Sequence, residues 1–155
     1  MTPAIELAKK KKITHAVHEY THEAGSESYG LEAAEKMGVD AARVFKTLVV
    51  QLDGKDLAVG IVPVSQQLSM KLIARALGAK KASMASPEAV QRSTGYVLGG
   101  VSPLGQKKRL KTAIDLSAQN FESIFVSAGR RGLEIELSVD DLAKLLSATV
   151  AAIAQ

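Results

Sequence analysis

The stretch Val44-Phe45-Lys46-Thr47-Leu48-Val49-Val50-Gln51-Leu52-Asp53-Gly54-Lys55-Asp56-Leu57-Ala58-Val59-Gly60-Ile61-Val62-Pro63-Val64 reads as two strands around a two-residue turn. Asp-Gly is a favoured pair there because both residues tolerate the positive φ that a tight hairpin demands. Val44 to Leu52 forms the first expected strand and Leu57 to Val64 the return. The runs Leu48-Val49-Val50 and Ala58-Val59-Gly60-Ile61-Val62 are apolar without alternation. A strand of that kind belongs to a sheet covered on both faces.

Helix signals surround this hairpin. Thr2-Pro3 supplies an N-cap and a first-turn proline for a helix to about Lys11, and Leu31 to Met37 is a short helix stopped by Gly38. Ser69 to Leu77 ends at Gly78, Ser86-Pro87-Glu88 opens another helix, and Ser138 with Asp141 caps a last one through about Leu146. Thr14 to Thr21, Tyr96 to Val101, Thr112 to Leu116, Ser123 to Ser127 and Leu133 to Leu137 read as further strands. With no internal repeat and no long linker, the pattern predicts an α+β fold: a single domain over 1–155, with a curved mixed sheet flanked by helices.

The 155 residues are 46% hydrophobic and 23% charged, an ordinary balance for a globular domain. No apolar run is long enough to span a bilayer, and Met1-Thr2-Pro3-Ala4-Ile5-Glu6 lacks the basic flank and apolar stretch of a signal peptide. The expected location is the cytoplasm. Zero cysteines exclude disulfides, thiolate zinc sites and cysteine nucleophiles. The net charge of +4 is gathered in clusters: Lys9 to Lys12, Lys80-Lys81, Lys107-Lys108-Arg109-Lys111 and Arg130-Arg131. Such clusters attract phosphate backbones, and equally occur as plain solvated surface. Charge permits a nucleic-acid partner without selecting one.

His15, His18 and His22 lie close together, but no carboxylate or cysteine completes a recognisable ligand motif around them, so hydrogen-bonding roles are expected and no metal site. Phosphate loop, dinucleotide fingerprint, zinc-protease motif and serine elbow are all absent. An ester-cleaving enzyme built from this chain would use water, or a group of its substrate, as nucleophile. Three segments could carry chemistry. Phe45-Lys46-Thr47-Leu48 puts a lysine and a threonine at the mouth of an apolar strand, where a solvated edge charge is the plain alternative. Ser93-Thr94-Gly95-Tyr96, followed by Gly99-Gly100-Val101-Ser102-Pro103-Leu104-Gly105, has glycines that either present backbone N–H groups to a ligand or simply build a loop. Val126-Ser127-Ala128-Gly129-Arg130-Arg131-Gly132 turns beside two arginines, as a serine and phosphate site or as a basic turn.

Together these segments resemble the YbaK branch of the prolyl-tRNA editing-domain family. The resemblance runs from Thr2-Pro3-Ala4 to Asp141-Leu142-Ala143-Lys144, and its longest stretch is Gln91-Arg92-Ser93-Thr94-Gly95-Tyr96 continued by Gly99 to Arg109. It implies a barrel-like editing-domain fold, no cofactor, and trans-editing of Cys-tRNA(Pro) in which the cysteinyl thiol attacks its own ester. It further implies that Lys46 is the catalytic residue and that Tyr20, Tyr29, Thr47, Gly100, Ser127 and Glu134 bind substrate. Lys107, Lys108, Arg109, Arg130 and Arg131 are the candidates for tRNA-backbone contacts. The chain departs from the branch at Ala128 and Arg130, where glycine and lysine are common, at Glu134, where a close relative has aspartate, and at Tyr29, where phenylalanine is usual. Prolyl-tRNA synthetase is the expected transient partner, with neither membrane nor DNA involved. The alternatives are a deacylase for Ala-tRNA or other small aminoacyl-tRNAs, and a non-catalytic tRNA-binding module.

Overall fold

Thr2 Oγ1 accepts the Ile5 N–H at 3.3 Å and caps helix α1 (Pro3–Lys10), whose first-turn proline has no N–H to satisfy. The structure, a computed structural model, describes residues 1–25 and 28–155. The chain continues through β1 (His15–Glu19), α2 (Tyr29–Met37), β2 (Phe45–Leu52), β3 (Asp56–Pro63), α3 (Met70–Ala76) and β4 (Ala82–Met84). It then forms α4 (Pro87–Thr94), β5 (Lys111–Asp115), β6 (Ser123–Arg130), β7 (Leu133–Ser138), α5 (Val139–Leu146) and β8 (Thr149–Ala151). Ser69, Ser86 and Ser138 each accept a backbone N–H at the start of α3, α4 and α5. These are the caps that the sequence announces.

Among the described residues the strands form a five-stranded sheet, ordered β4-β2-β3-β5-β8, and a three-stranded sheet, ordered β1-β7-β6. The larger one is mixed: β2 pairs antiparallel with β3 and β4, while β3–β5 and β5–β8 are parallel. A bridge between Val44 and Phe125 connects the two sheets at the start of β2. The hairpin runs in register from Phe45↔Pro63 to Leu52↔Asp56, and Asp53 and Gly54 turn it at φ 51° and 68°. No helix among the described residues is long and apolar enough to cross a membrane.

Both faces of the hairpin are covered, as its unbroken apolar runs require. Phe45, Val49, Val59 and Ile61 pack into the main core with α1 and the three-stranded sheet. Val50, Leu52, Ala58 and Val62 pack beneath Leu68, Ile73 and Leu77 around α3. Burying each such side chain is worth about 1.5–3 kcal/mol, so this hairpin anchors the fold and fixes where its two ends lie.

The structure departs from the sequence reading in three places. Tyr96 to Val101 is not a strand: the Tyr96 hydroxyl is buried and donates to Leu104 O at 2.7 Å, while Gly100 N–H closes a turn on Val97 O at 3.0 Å. This segment therefore satisfies its polar groups within its own loop. β6 runs past Ser127 to Arg130, with a register irregularity between those two residues. Finally, β4 and β8 were not anticipated; each is a three-residue edge strand defined only by its neighbour. For the last, Asp115 Oδ1 draws in the N–H groups of Ile153 and Ala154 at 2.9 and 3.0 Å.

Candidate active site

At the end of the hairpin opposite Asp53-Gly54, the start of β2 borders a cavity of about 280 Å³. Lys46 and Thr47 reach it from β2, Ser127 from β6, Glu134 from β7, Tyr29 from the first turn of α2, and Tyr20 from the segment after β1. Gly99 completes the rim from the loop after α4. The antiparallel registers pair Ser127 with Glu134 and Glu134 with His18, so these three side chains share one face of the smaller sheet.

Burial changes the chemistry of several polar groups here. Glu134 is 7% exposed, and burial pushes its carboxyl up to about 8, so the neutral acid predominates at neutral pH. Burial acts on Lys46 in the opposite sense and lowers its pKa from the ordinary lysine value. No ion pair holds Lys46 among the described residues. Thr47 Oγ1 is buried and has no hydrogen-bond partner there either. An unsatisfied buried hydroxyl costs about 1–3 kcal/mol, which a ligand bonded to it would recover. The Tyr20 hydroxyl is raised by burial and then by the nearby Glu134 charge. Ser127 Oγ accepts the Gly129 N–H at 3.1 Å, and no histidine nitrogen bonds it among the described residues. Among those residues it has no base to make it a nucleophile.

Behind Tyr29 stands a second layer. The Arg131 guanidinium lies over the Tyr29 ring and its Nη1 donates to His22 Nε2 at 3.0 Å. His22 Nδ1 meets Glu32 Oε1 at 2.6 Å, and Glu32 Oε2 accepts the Glu23 N–H at 2.9 Å. Gly99, at φ 89°, admits this layer: a Cβ would lie 2.7 Å from Arg131 Nε and 2.9 Å from the Tyr29 ring. The other histidines go elsewhere, His15 Nδ1 to Ile13 O at 2.6 Å and His18 Nε2 to Glu136 Oε1 at 3.0 Å. Among the described residues no three His, Asp or Glu side chains are grouped to hold a metal ion.

Residues 26–145 match the family described as the aminoacyl-tRNA editing domain. The chain belongs to this family. It is 34% identical over 154 residues, 98% of this chain and 92% of the relative, to an Enterococcus faecalis protein named for Cys-tRNA(Pro)/Cys-tRNA(Cys) deacylation. It is 28% identical over 129 residues, 81% of this chain and 76% of the relative, to the multifunctional Ser/Thr-tRNA deacylase of Escherichia coli. A solved structure described as a trans-editing enzyme for prolyl-tRNA synthetase shares the fold, with a TM-score of 0.85 at 21% identity over 99% of this chain and 95% of that one. The α+β editing-domain fold expected from the sequence is the one observed.

In this editing domain the cavity gathers Lys46, Thr47, Tyr20, Tyr29, Ser127 and Glu134, and leaves Gly100 out. Gly100 sits behind the rim, where a Cβ would meet Arg130 Cα at 2.8 Å, and its N–H is already given to Val97 O. Of the five basic residues singled out from sequence, Lys107, Lys108, Arg109 and Arg130 are exposed. Arg131 instead turns inward to Tyr29 and His22. Sequence reasoning missed Gly99 as the rim glycine, and it missed His22 and Glu32 behind Tyr29. Nothing in their spacing announces them, because the contacts are made between α2, the turn after β1 and the β6–β7 connection.

Proposed function

We propose that this editing domain deacylates mischarged tRNA, that Cys-tRNA(Pro) is its preferred substrate, and that the whole chain 1–155 acts as one catalytic unit. The observation that carries this reading is the cavity itself. Among the described residues, an unpaired, half-buried Lys46, an orphaned Thr47 hydroxyl and a neutral Glu134 line a small space with no activated protein nucleophile. The name of the Enterococcus relative supports cysteine as the amino acid.

In this mechanism the substrate brings its own nucleophile. The cysteinyl sulfur, having lost its proton, bonds to the ester carbonyl carbon. The carbon–oxygen bond to the terminal ribose then breaks, and the ribose oxygen leaves as a hydroxyl with the proton returned to it. The amino acid departs as a cysteine thiolactone. Lys46 stabilises the negative charge that passes from sulfur to carbonyl oxygen to ribose oxygen. Thr47 and Ser127 hold the ester and its ribose, and Glu134 with Tyr20 receives the substrate amino group. Such chemistry also gives specificity that binding cannot, since small apolar side chains differ by only about 1–3 kcal/mol per methylene. An alanyl or prolyl ester has no thiol to react.

The reaction belongs in the cytoplasm, with prolyl-tRNA synthetase as a transient partner that contributes selection of tRNA(Pro). The likeness to a Ser/Thr-tRNA deacylase supports a second reading, in which side-chain hydroxyl substrates are also cleared. A panel of Cys-, Ala-, Ser- and Pro-tRNA(Pro), with and without the synthetase, separates the two. The first reading expects cysteine to be released fastest and as thiolactone; equal rates for Cys- and Ser-tRNA, with free amino acid as product, would overturn it.

A further inference from the structure

A second concavity, of about 1070 Å³, lies at the turn end of the same hairpin. Lys55, Lys80, Lys81, Arg109 and Lys111 surround it, over a floor formed by Leu52, Leu57 and Leu77. Its shape is held by specific bonds. Asp53 Oδ1 accepts the backbone N–H groups of Lys80 and Lys81 at 3.0 and 2.9 Å, and Asp53 N–H donates to Lys81 O at 2.9 Å. The hairpin turn and the α3–β4 connection are thereby locked together, with both lysine side chains left exposed. The five cations outnumber the two carboxylates of the groove, Asp53 and Asp56, and among the described residues none of the five is in an ion pair.

On its Leu52 and Leu77 side this groove borders the face of the sheet that carries Lys46. Lys46 and Leu52 are six residues apart on β2, so their side chains point the same way, about 20 Å apart along the strand. Helix α3 covers the interval. Ile73 and Leu68 fill the space over Gly60, where a Cβ would come within 2.8 Å of Ile73 Cδ1. Gly60 is the register partner of Leu48 at the wall of the catalytic cavity, whereas Leu77, after the end of α3, reaches the groove. The segment from Lys71 to Lys81 contains Lys71, Arg75, Lys80 and Lys81 and no acidic residue. Lys71 and Arg75 are exposed and four residues apart, which sets them on one stripe of the helix.

We propose that the groove and the α3 stripe form the docking surface for the sugar-phosphate backbone of the substrate's acceptor stem, with the aminoacylated 3′ end reaching the Lys46 cavity. This rests on the deacylase reading above. The charge complementarity is one-sided, and the surface leads from the reacting ester towards the body of a long polyanion. Contacts made to phosphates carry little sequence information, so a surface of this kind grips any tRNA and leaves the choice among tRNAs to another component.

The test compares wild-type protein with Lys80→Glu/Lys81→Glu and with Lys71→Glu/Arg75→Glu, on full-length Cys-tRNA(Pro) and on cysteinyl-adenosine, which is too short to reach the groove. With full-length substrate each double variant raises KM about tenfold or more and makes the salt dependence of log KM shallower by about one to two units, as fewer counterions are released. With cysteinyl-adenosine kcat/KM stays within about twofold of wild type for Lys80→Glu/Lys81→Glu, since exposed charges about 20 Å apart are largely screened at ordinary salt. For Lys71→Glu/Arg75→Glu the loss on full-length tRNA exceeds any loss on the short substrate. Unchanged KM and salt slope in variants that melt like wild type overturn the proposal, as does an equal loss on the short substrate. Retained tRNA binding with lost synthetase binding also overturns it and assigns the groove to an acidic protein surface. Should wild type cleave neither substrate, the deacylase reading fails instead; filter binding of uncharged tRNA by the same variants then still decides the groove.

Discussion

The guanidinium carbon of Arg131 stands 3.3 Å from the centroid of the Tyr29 ring, so a residue lining the Lys46 cavity is braced by a cation from behind. An arginine can only donate, so the bond from Nη1 to His22 Nε2 leaves the histidine proton on Nδ1, directed at Glu32. Arg131 is thereby a positioning residue for the cavity wall. Arg131→Ala is expected to lower kcat/KM about tenfold, the loss of a stacked cation worth about 1–2 kcal/mol, and to do so equally for full-length and minimal substrates. A phosphate-contacting role would instead confine the loss to full-length tRNA and reduce the salt slope. Lys at this position keeps the charge without the planar stack and restores only part of the rate.

Lys46→Ala is expected to reduce deacylation by about 10²–10³-fold while the thermal midpoint stays the same or rises slightly, because a half-buried cation is removed. Near-normal turnover by a well-folded variant would remove Lys46 from the mechanism. Because burial lowers the Lys46 pKa, activity that needs its ammonium falls off on the alkaline side before the ordinary lysine range is reached. Dividing the wild-type pH–rate profile on the cysteinyl ester by that of Lys46→Ala cancels the substrate thiol, which titrates in both, and isolates that limb.

Thr47→Val separates binding from stability. The two side chains have nearly the same shape, and the hydroxyl that is lost has no partner within the described protein. The unliganded variant is expected to gain about 1 kcal/mol in denaturant melts, and to lose deacylation because the ester loses a contact. A destabilised variant would show that the hydroxyl is satisfied in the free protein.

Glu134 gives stability a distinctive pH dependence. The unfolded chain releases this proton near the ordinary value of 4.5, the folded chain near 8. Between those values the folded state holds more protons, so stability contributed by the neutral acid is complete below the lower value and is lost as pH rises through the upper one. The full excursion is about 5 kcal/mol at most, from about 1.4 kcal/mol per unit. Glu134→Gln should flatten this fall between about pH 5 and 8, read as urea midpoints from pH 5 to 9. A wild-type protein as stable at pH 9 as at pH 6 would contradict the burial of this carboxyl.

Much of the fold was legible because its signals are local. The Asp53-Gly54 hairpin, the serine caps at Ser69, Ser86 and Ser138 and the glycine stop at Gly38 each act through the backbone of a few adjacent residues. The segment Tyr96 to Val101 misled because its residue types favour a strand, while the Tyr96 hydroxyl bond to Leu104 O holds it in a loop. β4 and β8 were illegible because three residues have no period of their own and exist only as the edges of β2 and β5.

The sequence by itself determined the α+β class, the two-sided hairpin with Lys46 at its mouth, and, through the resemblance carried by its motifs, the editing family. Only the tertiary structure decided what surrounds Lys46. Bringing β2 against the three-stranded sheet buries Glu134 and Thr47 beside the lysine, where desolvation changes their chemistry. The same assembly turns Arg131 from a surface cation into the brace of Tyr29. A residue's charge and propensity are written in the chain, but its desolvation and its partners depend on segments far away in sequence, and those are set by packing.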